Sequence, residues 1–151
     1  MVTEARTLPG STEYVPAPRE KETAMQQGLS LREIRIGDSA SFSKTLTETD
    51  TYLYAGITAD LNPAHINQSA SENTRFGGRI VHGMLSAGLI SAVLGMQLPG
   101  PGTIYVGQEL SFTAPVRFGD TITATVTAAE KIKERFLKLK TDRKSTRLNS
   151  S

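Results

Sequence analysis

An α+β domain, with an antiparallel sheet wrapped around one long buried helix, is the fold class the sequence predicts, on two observations. The stretch from Arg79 to Gln97, RIVHGMLSAGLISAVLGMQ, carries a single charge at its first residue and apolar or small residues on every face, the pattern of a helix enclosed on all sides. After it comes strict alternation. Ile104, Val106, Leu110 and Phe112 share one face of the segment Thr103 to Ala114, and beyond a turn at Pro115 and Gly119-Asp120 the residues Ile122, Ala124 and Val126 oppose threonines at 121, 123, 125 and 127. Such strands need an apolar cover on one face, and the helix supplies it.

Residues 1–30, rich in Pro, Glu, Thr, Ser and Gly with little hydrophobic periodicity, are expected to form a disordered extension able to tether another module. The folded domain is expected over residues 31–141. Leu31 to Asp38 predicts a first strand with Ile34 and Ile36 on one face, ended by a Gly-Asp turn. Ser39 to Leu46 predicts the next, with Ala40, Phe42 and Leu46 on one side. Thr47 and Asp50 form a capping box that launches a short helix through Tyr52, Leu53, Ala55 and Gly56 and delivers the chain to Asp60.

The central helix, from Ile80 to Leu98, has 19 residues, a length that would permit a membrane span. It lacks aromatic anchors, holds two Ser and three Gly, and is followed by strands that need covering, so a core helix roughly 28 Å long is expected and no membrane is implied. Phe136 to Lys140 begins a further strand, with Leu137 and Leu139 opposite Lys138 and Lys140. From Asp142 onward the strand period stops, and residues 142–151 are expected to be a non-native or disordered tail, such as a mis-joined reading frame would leave. If three or so core side chains of a closing strand are missing, at roughly 1.5–3 kcal/mol each, the chain is expected to fold poorly unless a partner subunit supplies cover.

A chain of 151 residues holds one domain, and the absence of Cys removes disulfides, thiolate metal sites and a cysteine nucleophile. Residues 1–130 carry nine basic and thirteen acidic side chains, whereas residues 131–151 carry eight and two. All the basicity therefore lies in the tail. The pI near 9.0 does not point to a nucleic-acid partner, because no aromatic residue beyond Phe136 is interleaved with those charges. Nothing resembles a cleavable signal peptide, and a cytoplasmic location is expected.

The chemistry concentrates between Thr58 and Ser91. Asp60 and His65 flank Asn62-Pro63, where proline fixes its own φ and keeps Asn62 out of the helical region, so the segment bends and both side chains can converge. A carboxylate and an imidazole sharing one water can exchange protons with it. The spacing also fits an aspartate that caps a helix and an ordinary histidine. Gly83, near the start of the buried helix, offers backbone N–H groups at the positive end of the helix dipole, able to receive a developing oxyanion. Asp60-Leu-Asn62 lacks the glycine and terminal Glu of a calcium loop, and His65 and His82 stand seventeen apart without Cys, so no metal is expected. There is no phosphate loop or dinucleotide fingerprint. Ser86 and Ser91 sit on an apolar helix and read as residues whose hydroxyls bond back to the helix backbone, or as packing residues, and not as nucleophiles.

Asp60-Leu-Asn62-Pro63-Ala-His65, followed by Phe76, Ile80-Val81-His82-Gly83-Met84-Leu85, Leu98-Pro-Gly-Pro-Gly102-Thr-Ile-Tyr105 and Gly119-Asp120, resembles the signature of MaoC-like, (R)-specific enoyl-CoA hydratases of the hot-dog fold. The likeness runs from about Ile34 to about Lys140. It implies Asp60 and His65 as a catalytic dyad, Gly83 as the donor to the thioester oxygen, and Asn62 and Ser91 as further substrate-site residues, with Ser91 beside the dyad. It also implies an acyl-CoA substrate, a homodimer, and no cofactor beyond the CoA of the substrate. The family usually has Asp two residues after the catalytic histidine, where this chain has Asn67. An acyl-thioester-binding or thioesterase domain on the same fold, or the amino-terminal part of a fusion with an acyltransferase, are the alternatives.

Overall fold

The computed structural model describes residues 27–133 and 135–146, so the expectations for residues 1–26 and 147–151 lie outside the described residues. The elements, in chain order, are β1 (Ser39–Thr45), α1 (Glu48–Thr58), α2 (Pro63–Ile66), α3 (Gln68–Glu72), α4 (Gly83–Met96), β2 (Thr121–Ile132) and β3 (Phe136–Thr146). The strands make one antiparallel sheet in the order β1-β2-β3, and α4 lies against β1 and β2.

The alternation of β2 explains this packing. Ile122, Ala124 and Val126 are buried against Leu89, Ile90, Val93 and Leu94 of α4, with Leu46 and Val81 in the same cluster. The opposite face is a ladder of hydroxyls. Thr121, Thr123, Thr125 and Thr127 each meet the residue directly across on β1, namely Thr45, Ser43, Ser41 and Ser39, at 2.7, 2.8, 2.9 and 3.0 Å. Cross-strand pairs of this kind contribute about 0.2–1 kcal/mol each, and they fix the register that puts the apolar set inward.

The predicted capping box is present. Thr47 caps α1 by accepting from the Asp50 N–H, and the Asp50 carboxylate accepts from the Thr47 N–H at 2.8 Å. Lys44 pairs with the same carboxylate at 3.0 Å. Only Thr51 and Ala55 of α1 are buried, while Tyr52, Leu53 and Ile57 are exposed.

Several expectations are corrected. Leu31 to Asp38 is a pair of turns, not a strand: Arg35 N–H bonds the Asp38 carboxylate, and Gly37 takes a φ of +96°. Ile34 is therefore fully buried while Ile36 is 57 % exposed. Chain order begins before residue 31, since the N–H groups of Gly28 and Leu29 bond the carbonyls of Pro101 and Pro99 at 2.9 and 2.8 Å. Thr103 to Ala114 takes no place in a ladder, and Ile104 and Val106 are 82 % and 75 % exposed. Alternation in sequence specifies faces but cannot specify a hydrogen-bonding neighbour, and among the described residues no strand pairs with this segment.

The sheet of the described residues is open, and α4 has 14 residues, roughly 21 Å, starting at Gly83. Residues 79–82 are extended because their backbone is bonded to other segments: Ile80 N–H donates to Ala64 and Val81 N–H to Val116, at 3.1 and 2.8 Å. Nor is the helix enclosed all round, for Met84, Gly88, Ser91 and Met96 are exposed on the side away from the sheet. At the other end, β3 continues past Asp142 to Thr146, pairing Asp142 with Thr125 and Thr146 with Thr121. Ladder hydrogen bonds are made by backbone, so the strand persists where its side-chain period has stopped.

Candidate active site

The site begins where α1 ends. Ala59 takes a left-handed conformation, φ 59°, and turns the chain out of the helix into Asp60. One carboxylate oxygen of Asp60 accepts from Asn62 N–H at 3.2 Å, and the Asn62 side chain in turn caps α2 by accepting from Ala64 N–H at 3.0 Å. Pro63 occupies the first turn of α2, where its missing N–H costs nothing. These local bonds bring His65 back toward Asp60. Its Nδ1 lies 2.8 Å from the Ile80 carbonyl, and a carbonyl oxygen can only accept, so Nδ1 carries a proton and, in the neutral ring, Nε2 is the atom with the lone pair.

The other wall is the start of α4. His82 is the N-cap residue, without a side-chain cap bond, and Gly83 is the first helical residue. Its N–H belongs to the first turn and has no partner within the helix. A Cβ at Gly83 would stand 2.9 Å from the Phe112 ring, so only glycine lets that ring close on the helix start. Ser86 Oγ donates to the Gly83 carbonyl at 2.7 Å.

Asp60, His65, Gly83, Tyr54, Phe76 and Phe112 line one cavity of about 620 Å³, together with His82 and Ser86. The Asp60 carboxylate is half exposed and the His82 ring is 2 % exposed, so the cavity grades from solvent to core across two side chains. Donor atoms of Asp60, His65 and His82 all lie within 4.8 Å of one another. That is also a grouping able to hold a cation, but His82 Nε2 already faces the Asp60 carbonyl at 3.0 Å and must carry a proton there. A lone-pair base, a carboxylate and a helix N-terminus facing one volume can hold water, move its proton and receive negative charge on an oxygen.

Of the residues singled out in the sequence, Asp60, His65 and Gly83 are brought together at this cavity. Asn62 shapes the turn as a cap. Ser91 is two turns along α4 on its exposed side and does not line the cavity; Ser86 does, and it bonds back to the helix backbone as its sequence context suggests. His82 belongs to the signature Ile80-Val81-His82-Gly83 and is excluded in the sequence as a zinc ligand, but no part in the site is expected of it there. The signal that could have placed it at the cavity is its position as a strongly polar group at the entry to an apolar helix.

The sequence profile described as the MaoC like domain matches residues 33–149. An (R)-specific enoyl-CoA hydratase of Rhodospirillum rubrum is 58 % identical over 103 residues, which are 68 % of this chain and 72 % of that protein. Among solved structures, the unliganded R-hydratase of Pseudomonas aeruginosa has a TM-score of 0.74 and 38 % identity, covering 79 % of this chain and 77 % of that one. The (R)-hydratase from A. caviae has a TM-score of 0.72 and 37 % identity, covering 76 % and 87 %. Sequence profile, close identity and fold agree, and the chain belongs to the MaoC-like domain family.

Proposed function

We propose that the chain adds water across the double bond of a trans-2-enoyl-CoA to give the (R)-3-hydroxyacyl-CoA. It is an enzyme of the hydro-lyase class. The reading is carried by the convergence of the Asp60 carboxylate and the free Nε2 of His65 on a cavity that also takes in the start of α4. The 58 % identity to an (R)-specific enoyl-CoA hydratase supports the choice of reaction.

In this mechanism the thioester carbonyl accepts from the Gly83 N–H, which polarises the conjugated system and makes C3 electrophilic. Water held between Asp60 and His65 gives a proton to His65 Nε2 while its oxygen bonds to C3. The electrons of the double bond move to C2 and the thioester oxygen, and the resulting enolate is held by the Gly83 N–H, a term typically worth about 3–4 kcal/mol. The proton is then returned to C2, so that one water is added and the dyad is restored. Asn62 acts through the turn it caps. The substrate brings its own CoA, and no other group takes part in these steps. The finer architecture inferred from the family likeness is a sheet closing around α4, in a cytoplasmic homodimer.

The test is loss of enoyl-thioester absorbance with crotonyl-CoA, with chiral analysis of the product. Asp60→Asn and His65→Gln are each expected to lower kcat by about 10²–10⁴ while the proteins remain folded. Release of free CoA instead of hydration would identify a thioesterase and end this reading.

A further inference from the structure

The His82 side chain touches both Asp60 and His65, and its backbone leads into the start of α4. Its ring is 2 % exposed, and its Nε2 lies 3.0 Å from the Asp60 carbonyl oxygen and 3.7 Å from the Asp60 carboxylate. Its ring stacks on the His65 ring, with centroids 3.8 Å apart and planes inclined by 31°. The Tyr54 ring is tilted against the His82 ring by 49°, with centroids 4.9 Å apart. His82 is also the N-cap residue of α4, directly before Gly83. Meanwhile its Nδ1 is buried with no hydrogen-bond partner.

These contacts determine the tautomer. The Asp60 carbonyl can only accept, so Nε2 is protonated, and a second proton on Nδ1 would be a buried donor facing nothing. A neutral ring also stacks on His65 without opposing the positive charge that His65 acquires when it takes a proton from water. A helix cap needs none of this, since the His82 side chain makes no cap bond.

We propose that His82 is a positioning residue for the hydration: as the neutral Nε2–H tautomer it holds the Asp60 backbone by a hydrogen bond and backs the His65 ring by stacking, setting the separation of the dyad. The proposal rests on the reading that Asp60 and His65 are the catalytic pair. Its effect is on geometry at the reacting atoms, where a misplacement of 1 Å can cost about 10²-fold in rate. His82→Phe keeps an aromatic ring against His65 and deletes the donor. His82→Gln keeps an amide donor and deletes the ring.

The experiment uses the full chain and crotonyl-CoA. His82→Phe is expected to lower kcat by about 10²-fold with KM changed less than about threefold, and His82→Gln to recover part of that loss. A folded His82→Phe protein with kcat within twofold of the parent overturns the proposal, as does a loss confined to KM. The ¹⁵N resonances of the His82 imidazole in the parent protein give a second readout that needs neither the variants to fold nor the reaction to be hydration. A proton on Nε2 alone is expected; a proton on Nδ1 overturns the proposal. Absence of hydration by the parent chain, with Nε2 protonated as expected, would mean that the reaction had been misassigned while the His82 geometry stood.

Discussion

Adding one methyl group at Gly83 separates the chemical role of the α4 start from its structural one. In Gly83→Ala the new Cβ would meet three atoms of the Phe112 ring at 2.9, 3.1 and 3.2 Å, close enough that something must move. Phe112 is 52 % exposed and lies in a segment outside the sheet, so the ring can swing. Gly83 already has helical backbone, and alanine gains up to about 1 kcal/mol of helix propensity there. Stability is therefore expected to stay within about 1 kcal/mol of the parent. Activity is not: whether the ring swings into the cavity or the methyl crowds the N–H, the thioester oxygen loses its approach, and kcat/KM is expected to fall by about 10²–10³, the scale of a lost oxyanion donor. Gly28→Ala is the control. Its Cβ would meet the Pro99 carbonyl, Gly100 and the Pro101 carbonyl at 2.6, 2.7 and 2.7 Å, all backbone, and overpacking against backbone costs about 1–3 kcal/mol. Thermal melts and crotonyl-CoA kinetics on both variants are the assay. A folded Gly83→Ala enzyme with unchanged kcat/KM would refute the assignment of that N–H to the developing negative charge.

Other outcomes follow from the caps and the core. Thr47→Ala removes the N-cap of α1 and is expected to cost about 1 kcal/mol in a urea melt. The Thr47 backbone N–H, and after it the Thr47 hydroxyl, hold the Asp50 carboxyl below its ordinary range. That contribution is complete above the unfolded pKa of roughly 3.9 and is lost as pH falls through the lowered folded value, so Asp50→Asn is expected to flatten the acid limb of the stability profile. Ile90, 1 % exposed between α4 and the sheet, is expected to cost about 2–5 kcal/mol on truncation to Ala, read as a lower denaturation midpoint with an unchanged slope.

The parts of the structure legible in the sequence are those that a local rule determines. Thr47 to Asp50 reads as a capping box because cap and N3 residue lie three apart. Ile122, Ala124 and Val126 read as a core face because the strand period is two. Asp60 and His65 converge because Asn62-Pro63 bends the chain between them. What was not legible depends on partners distant in sequence. Ile104 and Val106 alternate correctly but are paired with no described strand. Arg143 and Lys144 break the strand period yet sit in a ladder that Ala124 and Thr123 complete. His82 gave no local clue to its stacking on His65, because the sixteen residues between them fold through the end of α2, α3 and a pair of turns before the two rings meet.

The shortening of α4 relative to its apolar run is itself what makes the site. Had the helix begun at Arg79, the Ile80 carbonyl would accept from the Met84 N–H and the Gly83 N–H would donate to the Arg79 carbonyl, by the ordinary spacing of four. His65 would then lose the acceptor that fixes its proton on Nδ1, and the thioester oxygen would lose its donor. Instead, Ile80 and Val81 spend their N–H groups on Ala64 and Val116, which holds residues 79–82 extended. The Ile80 carbonyl is thereby free for His65, and the first helical N–H is free at Gly83. One pair of backbone hydrogen bonds sets both the base and the oxyanion donor, so a change that let the helix propagate backward through His82 would disable both together while leaving every side chain of the dyad in place.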